Sequence, residues 1–184
     1  MTTATQAPIS LDGLPDALRS HRTMLESALA VAVPVAWDED GQFRHAEQAN
    51  LIGDVLRHAI HRHLRNRKIG YLFRQSIARR DREVLGKASK VSGKLAFYSE
   101  LDFLIEVNWT TWQHLTGRQR VALIDHELAH CGVVDDDEGE KLVMCSHDLE
   151  EFNAIVARWG LWTPDVAEFA KVAAQIDLWT DPVP

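Results

Sequence analysis

The stretch Val121-Ala-Leu-Ile-Asp-His-Glu-Leu-Ala-His130 sets Asp125, His126, Glu127 and His130 inside an otherwise apolar run. Read as a helix, it places His126 and His130 one turn apart on one face, where two imidazoles can grip a single metal ion. Zinc is the usual occupant of such a pair. Glu127 lies about 100° further round the helix, so it does not easily bind the same ion. It is the residue expected to act as general base toward a metal-bound water. An apolar, mostly buried helix of this kind belongs at the centre of a domain.

The boundaries of that helix are written on either side. Thr116 and Gln119 have the spacing of a capping box, which starts it. It is expected to run to about Cys131 and to stop at Gly132 as a C′ residue. A catalytic zinc site needs a third protein ligand, and His147 in Ser146-His-Asp-Leu-Glu-Glu-Phe152 is the candidate. It is expected at the start of the next helix, returning antiparallel to the first. Glu150 and Glu151 are the rivals, giving a two-histidine, one-carboxylate site. Cys131 and Cys145 read as buried free cysteines. Either could instead close a four-ligand structural zinc site. Asp125, Asp148, Glu150 and Glu151 are the acids that could accept from a ligand histidine's second nitrogen. Tyr98 and His114 have the right chemistry for an oxyanion partner, and neither is assigned.

Further out, Leu14 to Ala30 reads as a helix, and Val31 to Trp37 as a short strand interrupted by Pro34. Asp38 to Gly41 is a turn. Glu47 to Arg67 carries a helical apolar stripe through Ile52, Val55, Leu56, Ala59 and His63. Ile69 to Phe73 is a short apolar run split by Gly70, and Leu95 to Tyr98 and Asp102 to Val107 read as strands, the last near a sheet edge. Lys141 to Cys145 reads as extended. Leu149 to Arg158, capped by Asp148 and Glu151 and ended by Gly160, reads as a helix. Another starts at Thr163-Pro164 and runs to about Leu178. Trp109 and Trp112 are placed to brace the metal helix; Trp159, Trp162 and Trp179 are placed to dock the terminal helices. There is no internal repeat. This order gives an α+β single domain, a small mixed sheet packed on helices, with residues 1–13 as a flexible tail and 14–184 as the domain.

Composition agrees. The 184 residues are 46% hydrophobic and 26% charged, enough for one soluble domain with a core. Two cysteines are too few for a disulfide framework, and no apolar run reaches a membrane span. The N-terminus has no secretory pattern, so the expected location is cytoplasmic. The net charge of −7 is uneven: residues 57–94 hold twelve Lys or Arg against Asp81 and Glu83 alone. That asymmetry permits a nucleic-acid partner without requiring one. His58, His61 and His63 suggest a second metal site, against a plainer reading as a basic helix. Asp135 to Glu138 lacks the ligand spacing of a calcium loop and reads as an acidic loop.

The run Leu123 to Cys131, with Asp136 to Glu140 and Ser146 to Phe152, resembles the putative phage metallopeptidase family. These are small zincin-like proteins, similar in outline to SprT-like and minimal zinc peptidases. The resemblance spans about residues 45–162, including Asp102 to Trp112. It implies a zincin-like fold with the HExxH helix at its centre, Zn2+ held by His126, His130 and His147, and Glu127 as catalytic acid/base. It implies a protein or peptide substrate and, for a phage-encoded chain, the host cytoplasm. It also implies an extended substrate added to a sheet edge, a role falling on Asp102 to Val107. Against the SprT-like pattern, Asp148 follows the later histidine where glycine is expected. The leading class is thus a zinc peptidase. Another zinc hydrolase, or a non-catalytic zinc module acting on DNA or a host protein, are the alternatives.

Overall fold

The computed structural model describes residues 10–32, 36–79, 82–137, 139–147, 152–164, 166–167 and 170–171. Its elements alternate in the order expected of an α+β fold. Two helices, α1 (Asp16–Arg19) and α2 (Arg22–Ala30), come first among the described residues. They stand where one helix was expected, broken at Ser20 and His21. Ser10 and Leu11 already belong to the fold: the Ser10 carbonyl accepts from Arg118 N, and Leu11 is buried. The described residues of 31–37 form no strand; 33–35 lie outside the description. Asp38 makes the turn, its carboxylate accepting from Gln42 N and Phe43 N, while Gly41 adopts φ +68°.

A four-stranded sheet follows: β1 (Phe43–His45), β2 (Ile69–Arg74), β5 (Gly86–Lys90) and β6 (Phe103–Asn108). Its order is β1-β2-β6-β5. The β2 and β6 strands are parallel, Ile69 beside Phe103, and both outer strands run antiparallel to their neighbours. Between β2 and β5 lies a small hairpin, β3 (Ala78–Arg79) with β4 (Arg82–Glu83).

Two sequence expectations need correction here. Asp102 to Val107 is not at a sheet edge: β6 is central, bonded to β2 on one side and β5 on the other. Its burial on both faces, with Glu106 and Asn108 covered as well, follows from that. Leu95 to Tyr98 is not a strand but part of α4 (Gly93–Ser99). The run lies in the connection between the antiparallel strands β5 and β6, and the chain spans that turn as a helix. It coils locally, leaving Phe97 79% and Tyr98 82% exposed.

The helices cover the sheet. In α3 (Glu47–Ala59) the apolar stripe buries Ala49, Ile52, Val55 and Leu56. The helix ends earlier than periodicity suggests, and a 3-10 turn at Arg62–Leu64 follows. A short helix, α5 (Trp109–Trp112), begins at Asn108, whose side chain accepts from Thr111 N. It leads into α6 (Gly117–Ala129), which has the expected capping box at Thr116 and Gln119. Both α3 and α6 pack on the sheet and on each other, so the metal motif lies over β5. Trp112 and Arg120 tie α5 to α6, the Arg120 guanidinium donating to the Trp112 carbonyl. Trp109 stacks on Arg44 at 3.3 Å, a buried cation–π contact that also holds Trp37.

Beyond α6 the chain forms a hairpin, β7 (Cys131–Asp136) with β8 (Gly139–Met144), and then α7 (Asn153–Trp159). Gly132 is therefore no helix stop. The helix ends at Ala129 with His130 as its cap, and Gly132 sits in β7 opposite Val143. Gly160, at φ +65°, does end α7. Thr163 caps a last helical stretch, its hydroxyl accepting from Val166 N. Asp148, Glu151, Trp179 and the end of this stretch near Leu178 lie outside the described residues. No described helix is long and apolar enough to cross a membrane.

Candidate metal centre

The hairpin register brings the third histidine to the other two. The chain leaves α6 at His130, and β7 pairs Cys131 with Met144 of β8. His130 and Cys145 extend that ladder by one step. Cys145 N donates to the His130 carbonyl at 2.8 Å, and His130 Nδ1 lies 2.7 Å from the Cys145 carbonyl. Two residues later, beyond the end of β8, His147 meets the two helix histidines. This differs from the expected helix start: α7 begins only at Asn153, and the intervening Glu150 and Glu151 lie outside the described residues.

The three rings point their Nε2 atoms at one place. His147 Nε2 is 3.2 Å from His126 Nε2 and 2.9 Å from His130 Nε2. All three groups can offer a ligand atom to a common ion. Tetrahedral nitrogens about 2.0–2.1 Å from zinc sit roughly 3.3 Å apart, so the donor set fits the ion. Hydrogen bonding among three neutral imidazoles accounts for this poorly. A carbonyl only accepts, so His130 Nδ1 carries the proton and its Nε2 presents a lone pair to the centre, the tautomer a ligand needs. Sequence reasoning looked for an acid as this acceptor. A backbone carbonyl has no residue signature, and only the hairpin register exposes it.

Phe152 packs edge-on against all three imidazoles, and Trp162 lies against His126. These aromatics shield one side of the cluster. Trp162 was expected only as packing for the terminal helices. Glu127 is 3% exposed, with its carboxylate against Gly86 of β5.

Asp125, one residue before His126, serves other partners. It is fully buried and accepts from Arg158, from Trp159 Nε1 and from His61 Nε2. Burial pushes its carboxyl upward, but the hydrogen bonds and charges of His61 and Arg158 outweigh that and hold it below the usual range. His61 is thereby engaged, His63 meets the Cys131 carbonyl, and His58 meets the Asp54 carbonyl. The second metal site that these histidines suggested does not form among the described residues.

Cys131 and Cys145 are free. The buried Cys131 thiol donates to the Glu127 carbonyl, and burial, with Glu127 and Cys145 nearby, pushes its pKa up. Such a thiol is held protonated, unlike a zinc ligand. Tyr98 projects from α4 and His114 is exposed. Part of the basic stretch is engaged by the fold. Arg67 pairs with Glu140, Lys68 with Glu100, and Arg74 and Lys87 with Glu106, acids that come from outside it.

A sequence model described as putative phage metallopeptidase matches residues 42–176, most of the chain. The chain belongs to that family. The matched span covers the whole sheet, the metal helix, the hairpin and α7, so the phage metallopeptidase assignment and the histidine cluster concern the same body of structure. No curated protein and no solved structure matches the chain.

Proposed function

We propose that this phage metallopeptidase-family chain is a zinc-dependent peptidase of zincin-like architecture, one domain over residues 14–184. His126, His130 and His147 hold the ion, and Glu127 is the general base. The convergence of three Nε2 atoms, with the His130 tautomer set by the Cys145 carbonyl, is the observation that carries this reading.

Bound zinc supplies Lewis acidity, acidifying water and polarising the scissile carbonyl. Glu127 takes a proton from the attacking water and hands it to the leaving amine. Its burial beneath β5 favours that exchange, because little solvent competes for the carboxylate. Phe152 and Trp162 exclude water from one side of the centre. The substrate is a protein or peptide. An extended segment adds along β5, which replaces Asp102 to Val107 in this role because β5 is the outer strand beside the metal helix. The working compartment is the host cytoplasm.

The test begins with elemental analysis of protein purified without added metal. One zinc per chain in wild type, lost chiefly in His147→Ala, supports the ligand set. Cleavage of a peptide library by wild type but not by Glu127→Ala supports the activity. Absence of zinc after supplementation would sink the proposal.

A further inference from the structure

We propose that Gly86 is a positioning residue that fixes the aim of the Glu127 carboxylate; the catalytic part of this inference rests on the reading of Glu127 as general base. A Cβ at position 86 would lie 2.6 Å from Glu127 Oε1, 3.0 Å from Cδ and 3.1 Å from Cγ. All three of its nearest neighbours are atoms of that one side chain. Backbone conformation does not demand glycine, since Gly86 is not among the positive-φ residues. Within a strand glycine is less favourable than alanine, because it loses more backbone freedom on folding. The missing side chain is therefore explained by the space the carboxylate fills.

Which partner gives way follows from how each is held. Gly86 pairs with Val107 in the β5–β6 ladder. Just before it, the Leu85 carbonyl accepts from Asn108 N, and the Asn108 amide donates to the Val84 carbonyl and to Glu83. Residues 83–86 are thus fastened to β6 and cannot retreat. Displacement falls on Glu127. Because the contact reaches Cγ, swinging the carboxylate tip aside is not enough. The whole side chain must leave its rotamer in a nearly closed space. Glycine at 86 leaves one pocket for the carboxylate and sets its direction.

The experiment is a double-mutant cycle of Gly86→Ala and Glu127→Ala, read first as thermal midpoints of the chelator-treated protein. Gly86→Ala is expected to lower the midpoint by about 2–4 °C beside Glu127. In the Glu127→Ala background it should leave the midpoint unchanged or raise it. Zinc content of Gly86→Ala should stay at the wild-type level. On fluorescein-labelled casein its kcat should fall about 10- to 100-fold with KM held, as expected of a misplaced catalytic group. Equal midpoint shifts in both backgrounds, or loss of zinc in Gly86→Ala, would overturn the inference, as would an unchanged kcat. If wild type cleaves no casein, the peptidase reading is what suffers, and the thermal cycle still decides the Gly86–Glu127 contact.

Discussion

Asp125 and Arg158 meet in a two-point pair, Nε to Oδ2 at 2.9 Å and Nη2 to Oδ1 at 2.8 Å. The Asp125 carboxylate is wholly enclosed and also takes Trp159 Nε1 at 2.6 Å and His61 Nε2 at 2.6 Å. One side chain thus joins α6 to α7 and to the segment after α3. Because it directly precedes His126, it also fixes the rotation of the metal helix against its neighbours.

Replacing Asp125 by alanine should cost about 3 kcal/mol, because it leaves Arg158 and the Trp159 N–H without their buried acceptor. Urea unfolding of the metal-free protein measures it. A loss below about 1 kcal/mol would place the pair among ordinary surface ion pairs.

The same carboxyl gives a pH dependence. Its folded pKa is depressed below the unfolded value near 3.9. A depressed acid contributes stability above the unfolded pKa and loses it as pH falls through the folded one. Wild type should therefore lose stability below about pH 5, and Asp125→Asn should lose less over the same range. Urea midpoints of both metal-free proteins, taken across that window, give the two slopes. Identical slopes would contradict the depressed carboxyl.

Zinc affinity should rank the parts of the centre. His147→Ala removes a ligand, so its loss should exceed the roughly 10- to 100-fold typical of outer contacts. Gly132→Ala should fall within that lower range. A Cβ there would lie 2.7 Å from Val143 Cγ2 and 2.8 Å from Cys145 Sγ, shifting the residue whose carbonyl orients His130. Competition titration with a chromophoric chelator measures both. Gly132→Ala binding zinc as wild type does would show that the carbonyl tolerates the shift.

These relations also mark what a sequence can disclose. His126, Glu127 and His130 were legible because their spacing alone puts them on one helix, and Thr116 with Gln119 marked where that helix begins. His147 was legible as a residue type but not as a geometry: the hairpin register delivers it, and pairing partners are not written locally. The same cause hid the centrality of β6, since a strand covered on both sides does not say how many neighbours it has. Leu95 to Tyr98 misled for the opposite reason. Its apolar residues suggested a strand, but it lies in the connection between the paired strands β5 and β6 and forms an exposed helix there. Gly86 left no signal, because a glycine in a strand can mean a bulge, a close approach or nothing.

Tyr71 offers a stabilising substitution. Its hydroxyl is buried against Gly53 with no hydrogen-bond partner among the described residues, and burial drives its pKa up. An unpaired buried hydroxyl costs more than it returns. Tyr71→Phe is therefore expected to be neutral or to gain up to about 1 kcal/mol in urea unfolding. A loss above that size would reveal a bond the hydroxyl makes.

Gln48 should behave in the opposite way. It is fully buried, and each end of its amide is used. The nitrogen donates to the Leu29 carbonyl at 2.7 Å; the oxygen accepts from Trp112 Nε1 at 3.1 Å and Arg120 Nη1 at 3.0 Å. One amide thus links α2, α3, α5 and the metal helix. Leucine at this position has a similar volume but satisfies none of these groups, and burial has already lowered the pKa of Arg120 by opposing its charge. Gln48→Leu should cost about 3 kcal/mol through stranded donors. Gln48→Glu keeps the acceptor and adds a charge facing Arg120, but it loses the donor to Leu29. It should recover part of the loss at neutral pH. Unfolding free energies of the two variants should therefore fall in the order Gln48→Glu above Gln48→Leu. The reverse order would mean that packing volume, not hydrogen bonding, governs this junction.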